Sequence, residues 1–141
     1  MNTTNKMLLL IGTVQTILMA LYHFFIPYQF NWCNFLSEKT PTINWSLFAL
    51  NNYFSFNLLL LASFLLYQLI KPINRLHSIK ILTTIVILFW MFSAVYQLIH
   101  PMPLPSNLNW LSYLLPTIAF VNITIIGIPL IALFKRDIST I

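Results

Sequence analysis

Residues 81–105 read ILTTIVILFWMFSAVYQLIHPMPLP. No charge interrupts the stretch, and apolar runs of about 20 residues are what a helix needs to cross a bilayer. The segment Ile85-Val86-Ile87-Leu88-Phe89-Trp90 lacks the alternation of apolar and polar positions that a membrane barrel strand requires. Only helices and closed barrels satisfy their backbone groups in lipid, so the run is read as a helix. Pro101, Pro103 and Pro105 then remove backbone donors and fix φ. The helix stops there, and Ser106, Asn107 and Asn109 turn the chain.

The charges mark out the remaining spans. They sit at Lys6, Glu38, Lys39, Lys71, Arg75, Lys80, Lys135, Arg136 and Asp137, leaving uncharged stretches at 7–37, 40–70 and 81–134. A charge at the bilayer centre costs about 2.5–3.5 kcal/mol on insertion scales. The first two stretches hold one span each, and the prolines split the third. The expected fold is an all-α integral membrane protein. It is one four-helix transmembrane domain over 1–141, with spans at about 7–27, 46–70, 81–100 and 109–134. Of its 141 residues, 6% are charged and 59% hydrophobic, whereas a soluble domain is about 25% charged. That excludes an ordinary soluble enzyme, a nucleic-acid binder and a disordered tail.

Orientation follows from the basic residues. Lys6, Lys71, Arg75, Lys80, Lys135 and Arg136 fall on one side of the four spans, and Lys39 alone on the other. By the positive-inside rule both termini and the 71–80 loop face the cytoplasm of a plasma or inner membrane. The net charge of +5 is then topological, with some attraction to anionic headgroups, and calls for no nucleic acid. Helix 1 is not expected to be a cleaved signal peptide, because Ala20-Leu21-Tyr22-His23-Phe24-Phe25 offers no small-x-small site. The single Cys33 allows neither an internal disulfide nor CxxC redox chemistry. The sequons at Asn2, Asn44 and Asn122 carry little weight on this topology.

The helices also pair off. Helix 1 ends in Ala20-Leu21-Tyr22-His23-Phe24-Phe25-Ile26-Pro27, and helix 3 in Ala94-Val95-Tyr96-Gln97-Leu98-Ile99-His100-Pro101. Helix 2 opens on Asn44-Trp45 and helix 4 on Asn109-Trp110, each with a further Asn thirteen residues on, at Asn57 and Asn122. This pattern reads either as two parallel hairpin repeats or as coincidence between apolar, Asn-rich segments. Trp45, Trp110, Tyr28, Trp32 and Tyr113 fall at one boundary as an interfacial aromatic belt. Phe30, Trp32, Phe35 and Leu36 are placed to form a short amphipathic segment on the bilayer surface.

No Asp, Glu, Lys or Arg lies inside a span. Carboxylates are the usual proton relays and cation sites of pumps, so a cation-coupled transporter is disfavoured. The polar residues that remain form two layers by depth. Gln15, Asn57 and Asn122 lie near mid-span; His23, Asn51, Asn52, Gln97 and His100 lie in the outer third. Trp90, Ser93, Gln97 and His100 share one face of helix 3. Gly12, Thr16 and Ala20 make a small-xxx-small ladder on helix 1. On helix 2, Ala49, Tyr53, Asn57, Phe64 and Gln68 share a face, and on helix 4 Asn122 lies with Leu115, Ala119, Ile126 and Pro129. Pro116 and Pro129 are positions where helix 4 would bend. Both polar layers read either as interhelical hydrogen bonding or as the lining of a pocket. Cys33 or Glu38 from the outer loop could add ligands to the outer histidines, but nothing in the spacing asks for a zinc site, and His77 is read as solvated.

The leading expectation is a non-catalytic membrane protein. His23, Asn51, Asn52, Trp90, Ser93, Gln97 and His100 would line an outer-half pocket for a small or lipid-like molecule, or the helices would pack on a membrane partner or a second copy. One alternative is a haem-dependent or other redox membrane enzyme, with His23 and His100 as axial ligands of haem b. The other is a purely structural subunit of a membrane complex, held through the Gly12/Thr16/Ala20 ladder. No other cofactor and no protein metal site is expected.

Overall fold

The computed structural model describes residues 2–36, 39–71, 76–101 and 108–138. Four α-helices account for most of them: α1 (Thr3–Gln29), α2 (Pro41–Ile70), α3 (Leu76–Ile99) and α4 (Leu111–Ile138). Each is long and apolar enough to cross a bilayer. No strand occurs among the described residues. Pro103, Pro105, Ser106, Asn107, Glu38 and Arg75 lie outside them.

The helices overrun the expected spans because local signals extend them past the apolar runs. Asn2 caps α1, its Oδ1 accepting from the Asn5 backbone N–H at 2.8 Å. Pro41 opens α2 at the first turn, where its missing N–H leaves nothing unpaired. Pro27 falls inside α1 instead of ending it. The helix stops two residues later, where Asn31 takes a left-handed conformation at φ 48°, one that asparagine tolerates better than most residues. A 3-10 turn at Trp32–Asn34 follows, and the Trp32 ring meets Phe48 of α2 at 5.7 Å. Trp32 therefore folds back on the bundle. α3 ends at Ile99, since the residue before Pro101 is disfavoured in a helix.

Most interhelical packing falls within the hairpins α1–α2 and α3–α4, with α1 also against α4 and α2 against α3. The helices thus run around the bundle in chain order, and α1 and α3 face each other across it. The buried residues of α2 are Ser55, Leu58, Ala62, Leu65 and Leu69, the three-four spacing of a coiled-coil seam. The polar face expected to point inward on α2 points outward: Tyr53, Asn57 and Phe64 are exposed. α2 is apolar nearly all round, so hydropathy does not choose its inner face. The small Ser55 and Ala62 are among the residues it buries.

The burial pattern repeats between hairpins. Leu9, Gly12, Thr16 and Ala20 are buried in α1, as are Thr83, Val86, Trp90 and Ala94, each 74 positions on. Ser55, Leu58, Ala62, Leu65 and Leu69 match the buried Ala119, Asn122, Ile126, Pro129 and Leu133 at a different offset, each 64 positions on. The burial offset between α2 and α4 is one residue less than the spacing of the sequence match: by burial it is Leu58, not Asn57, that pairs with Asn122.

The outside of the bundle is largely apolar. Leu18, Phe92 and Ile131 are 61%, 69% and 58% exposed. Hydroxyls within the helices turn back on their own backbone: Thr13, Thr16, Ser55 and Thr84 donate to the carbonyls of Leu9, Gly12, Asn51 and Lys80. Near the end of the bundle that carries the N-terminus, the Lys71 ammonium lies over Tyr67 and that of Lys80 over Phe134, apolar stem inward and charge outward.

Candidate functional site

At mid-bundle three helices meet at one hydroxyl. Thr16 Oγ1 accepts from the Trp90 indole N–H at 3.0 Å and from Asn122 Nδ2 at 3.2 Å. All three side chains are fully buried. α1 passes this close because Gly12 has no side chain. A Cβ there would lie 2.5 Å from Ile126 Cγ1 and 3.1 Å from Asn122 Oδ1. The Gly12/Thr16/Ala20 ladder is therefore spent inside the chain, all three residues being buried, and is not open to a partner. Asn122 Oδ1 is buried without a partner among the described residues, as is Thr83 Oγ1.

Beside this node, toward the Pro101 end of α3, lies a cavity of about 510 Å³. α1 contributes Met19, Tyr22, His23, Ile26 and the adjoining Phe30; α3 contributes Phe89, Trp90, Phe92, Ser93, Tyr96, Gln97 and His100, with Pro101 beyond it. Phe54 of α2 and Leu111 and Leu115 of α4 close the wall. Trp90 thus has two roles: its N–H is held by Thr16 while the residue borders the cavity.

Aromatic contacts build the wall. The His23 ring lies 4.8 Å from Phe54, Phe54 lies 5.3 Å from Phe89, and Phe89 lies 6.0 Å from Trp90. On the other side Phe92 stacks on Tyr96 at 6.0 Å, and Tyr96 meets His100 at 5.2 Å. The polar groups on the wall are His23, Ser93, Gln97, His100 and the two tyrosines. Gln97 Nε2 donates to Ser93 Oγ at 2.8 Å, and Gln97 Oε1 is buried without a partner among the described residues. None of the described wall residues is Asp, Glu, Lys, Arg or Cys.

Of the residues expected at the outer pocket, the structure brings together His23, Trp90, Ser93, Gln97 and His100. Asn51 and Asn52 are not in the wall. Asn51 stands behind it, its Nδ2 donating to the His23 backbone carbonyl at 2.9 Å, and Asn52 is exposed. The mid-span group separates as well: Asn122 is buried at the node, Gln15 is half-buried, and Asn57 is exposed. Of the two histidines proposed for haem, His23 is half-buried and His100 exposed at the cavity rim. Among the described residues, no group of three or more His, Cys, Asp or Glu comes together.

Sequence reasoning missed Thr16 as the junction and Tyr22, Phe30, Phe54 and Phe89 as wall. The available signal was the spacing of Thr16 four residues after Gly12, which puts a hydroxyl where helices approach most closely. No family, curated protein or solved structure matches the chain.

Proposed function

We propose that the chain is a membrane protein with both termini in the cytoplasm that binds a small, neutral, largely apolar molecule between α1 and α3. The observation that carries this is the 510 Å³ cavity itself, within the usual size of ligand sites and, like them, mostly apolar with a few convergent polar groups. The absence of charge from the described wall disfavours an ionised head, since a lone buried charge is strongly penalised. A hydroxyl, carbonyl or amide suits Ser93, Gln97 and the histidines. The rest of the ligand would lie on ring faces. The exposed apolar residues around the bundle support the membrane location, and the uneven distribution of lysines supports the orientation.

In this reading the two hairpins are copies of one unit. The matching burial positions and the Thr16–Trp90 bond, which joins corresponding positions, support it. The cavity then lies across a pseudo-twofold axis between the Tyr22/Tyr96 and His23/Gln97 pairs. A second reading, a haem-dependent redox protein, rests on His23 and His100 both reaching the wall, where each could supply an axial imidazole.

Native mass spectrometry from mild detergent tests the first reading. The expected result is a bound neutral molecule on the native chain that is lost in Ser93→Phe, whose helix content is unchanged. No adduct, or one indifferent to this cavity-filling change, would overturn it. A Soret band in the purified protein would favour haem instead.

A further inference from the structure

The outward face of α2 differs from those of α1 and α3. Short of the terminal turns, Met7, Ile11, Val14, Leu18, Leu21 and Phe25 are the exposed large residues along α1, where Tyr28 follows in the last turn, and Ile81, Ile85, Leu88, Met91, Phe92 and Val95 are among those along α3. Both rows are apolar. Among the exposed residues of α2, Leu50, Tyr53, Asn57, Leu60, Phe64 and Tyr67 form one row. Their spacing alternates three and four, a heptad seam that the α1 row shares; what sets the α2 seam apart is the asparagine near its centre. A single Asn in such a seam fixes register and oligomeric state.

Asn57 lies near the middle of the 30-residue helix. Among the described residues its amide has no hydrogen-bond partner. The exposed threonines of α4 are different: Thr117 and Thr124 donate to the carbonyls of Tyr113 and Phe120 in their own helix. An amide carries two donors and an acceptor, and facing acyl chains it leaves them all unmet.

We propose that this seam docks a second copy of the chain, α2 against α2, with the two Asn57 amides hydrogen-bonded to each other. The inference rests on reading the chain as membrane-spanning. An asparagine amide is complementary to itself, so a twofold axis along the membrane normal lets each copy donate an N–H to the other's carbonyl in one contact. Such an isologous interface is the commonest kind. A second copy in the same orientation also brings its polar group to the same depth, a match that an unrelated helix has only if it carries one there. The cavity and the Thr16 node lie inside each copy and are untouched by the pairing.

The test uses the full chain in lipid vesicles, in a Cys33→Ser background. Single cysteines are placed on the seam (Leu60→Cys, Phe64→Cys) and on the outer faces of α1 and α3 (Leu18→Cys, Leu88→Cys). Oxidation is expected to give disulfide-linked dimers from the seam positions and not from the controls. In the same background, Asn57→Leu is expected to raise the dimer dissociation constant about threefold to twentyfold. Being on the outside, the change leaves each monomer's helix content and thermal midpoint unmoved. The proposal is overturned by monomer at every protein-to-lipid ratio, by crosslinks at α1 or α3 in place of the seam, by crosslinks only to a different protein, or by an unchanged constant in Asn57→Leu. Release of the chain from vesicles by carbonate washing would overturn the membrane reading itself, and the seam with it.

Discussion

Replacing Thr16 with valine keeps the shape of the side chain and removes its oxygen. The hydroxyl is the common acceptor for Trp90 Nε1 at 3.0 Å and Asn122 Nδ2 at 3.2 Å, so Thr16→Val breaks both links at once. Interhelical hydrogen bonds in membrane proteins contribute about 0.6 kcal/mol on average and about 1.7 at most. Two of them give an expected loss of about 1.2 kcal/mol, with a ceiling of about 3.4. Packing is nearly conserved, so the loss measures hydrogen bonding. A cycle with Trp90→Phe isolates one bond, because the indole's lost volume cancels between the two arms. At the average strength, the double variant should fall short of the sum of the singles by about 0.6 kcal/mol. The assay is reversible unfolding by SDS titration in mixed micelles, with the midpoint read from near-ultraviolet ellipticity. Thr16→Val within about 0.3 kcal/mol of the native chain, or a cycle that closes additively, would refute the node as a source of stability.

The two glycines should respond differently to alanine. Gly12→Ala drives a methyl to 2.5 Å from the buried Ile126 and should destabilise by about 1–3 kcal/mol in the same titration. The Cβ of Gly127→Ala meets only the tip of Ile87 at 3.3 Å, so the gain in helix propensity of up to about 1 kcal/mol should leave it neutral or better. Asn51→Leu removes the bond to the His23 carbonyl. It should lower stability by about 0.6 kcal/mol while the mass of any bound molecule stays the same, because Asn51 does not line the cavity. Cys33 is exposed and unpaired, and a membrane-impermeant maleimide should label it in intact cells; labelling only after permeabilisation would invert the proposed orientation.

The helices were legible because charge and proline are coarse, one-dimensional signals. Their ends were less so, since Asn2, Asn31 and Pro41 act through geometry that hydropathy does not record. Helix 3 showed its cavity face: Trp90, Ser93, Gln97 and His100 share one stripe, and a stripe survives folding. Helix 2 did not show its inner face. The expectation that Asn57 would turn inward assumed that polar groups seek the interior, whereas the face that α2 buries carries Ser55 and Ala62 and leaves Asn57 outside. The partner of Trp90 lies 74 positions away, and spacing along one helix says nothing about which hydroxyl another helix will offer. The ring contacts His23–Phe54 and Phe54–Phe89 were hidden for the same reason.

The Thr16 junction also bears on how the chain assembles. Thr16 belongs to the first hairpin; Trp90 and Asn122 both belong to the second. Each hairpin alone holds only half of the arrangement, an acceptor in one and two spare donors in the other. The two become satisfied in a single event, when the halves close on each other in the correct register. A one-residue slip along α1 would turn Thr16 by about 100° and leave both donors empty. A register error between the hairpins is thus penalised at a single buried point, where it would strand both donors without an acceptor.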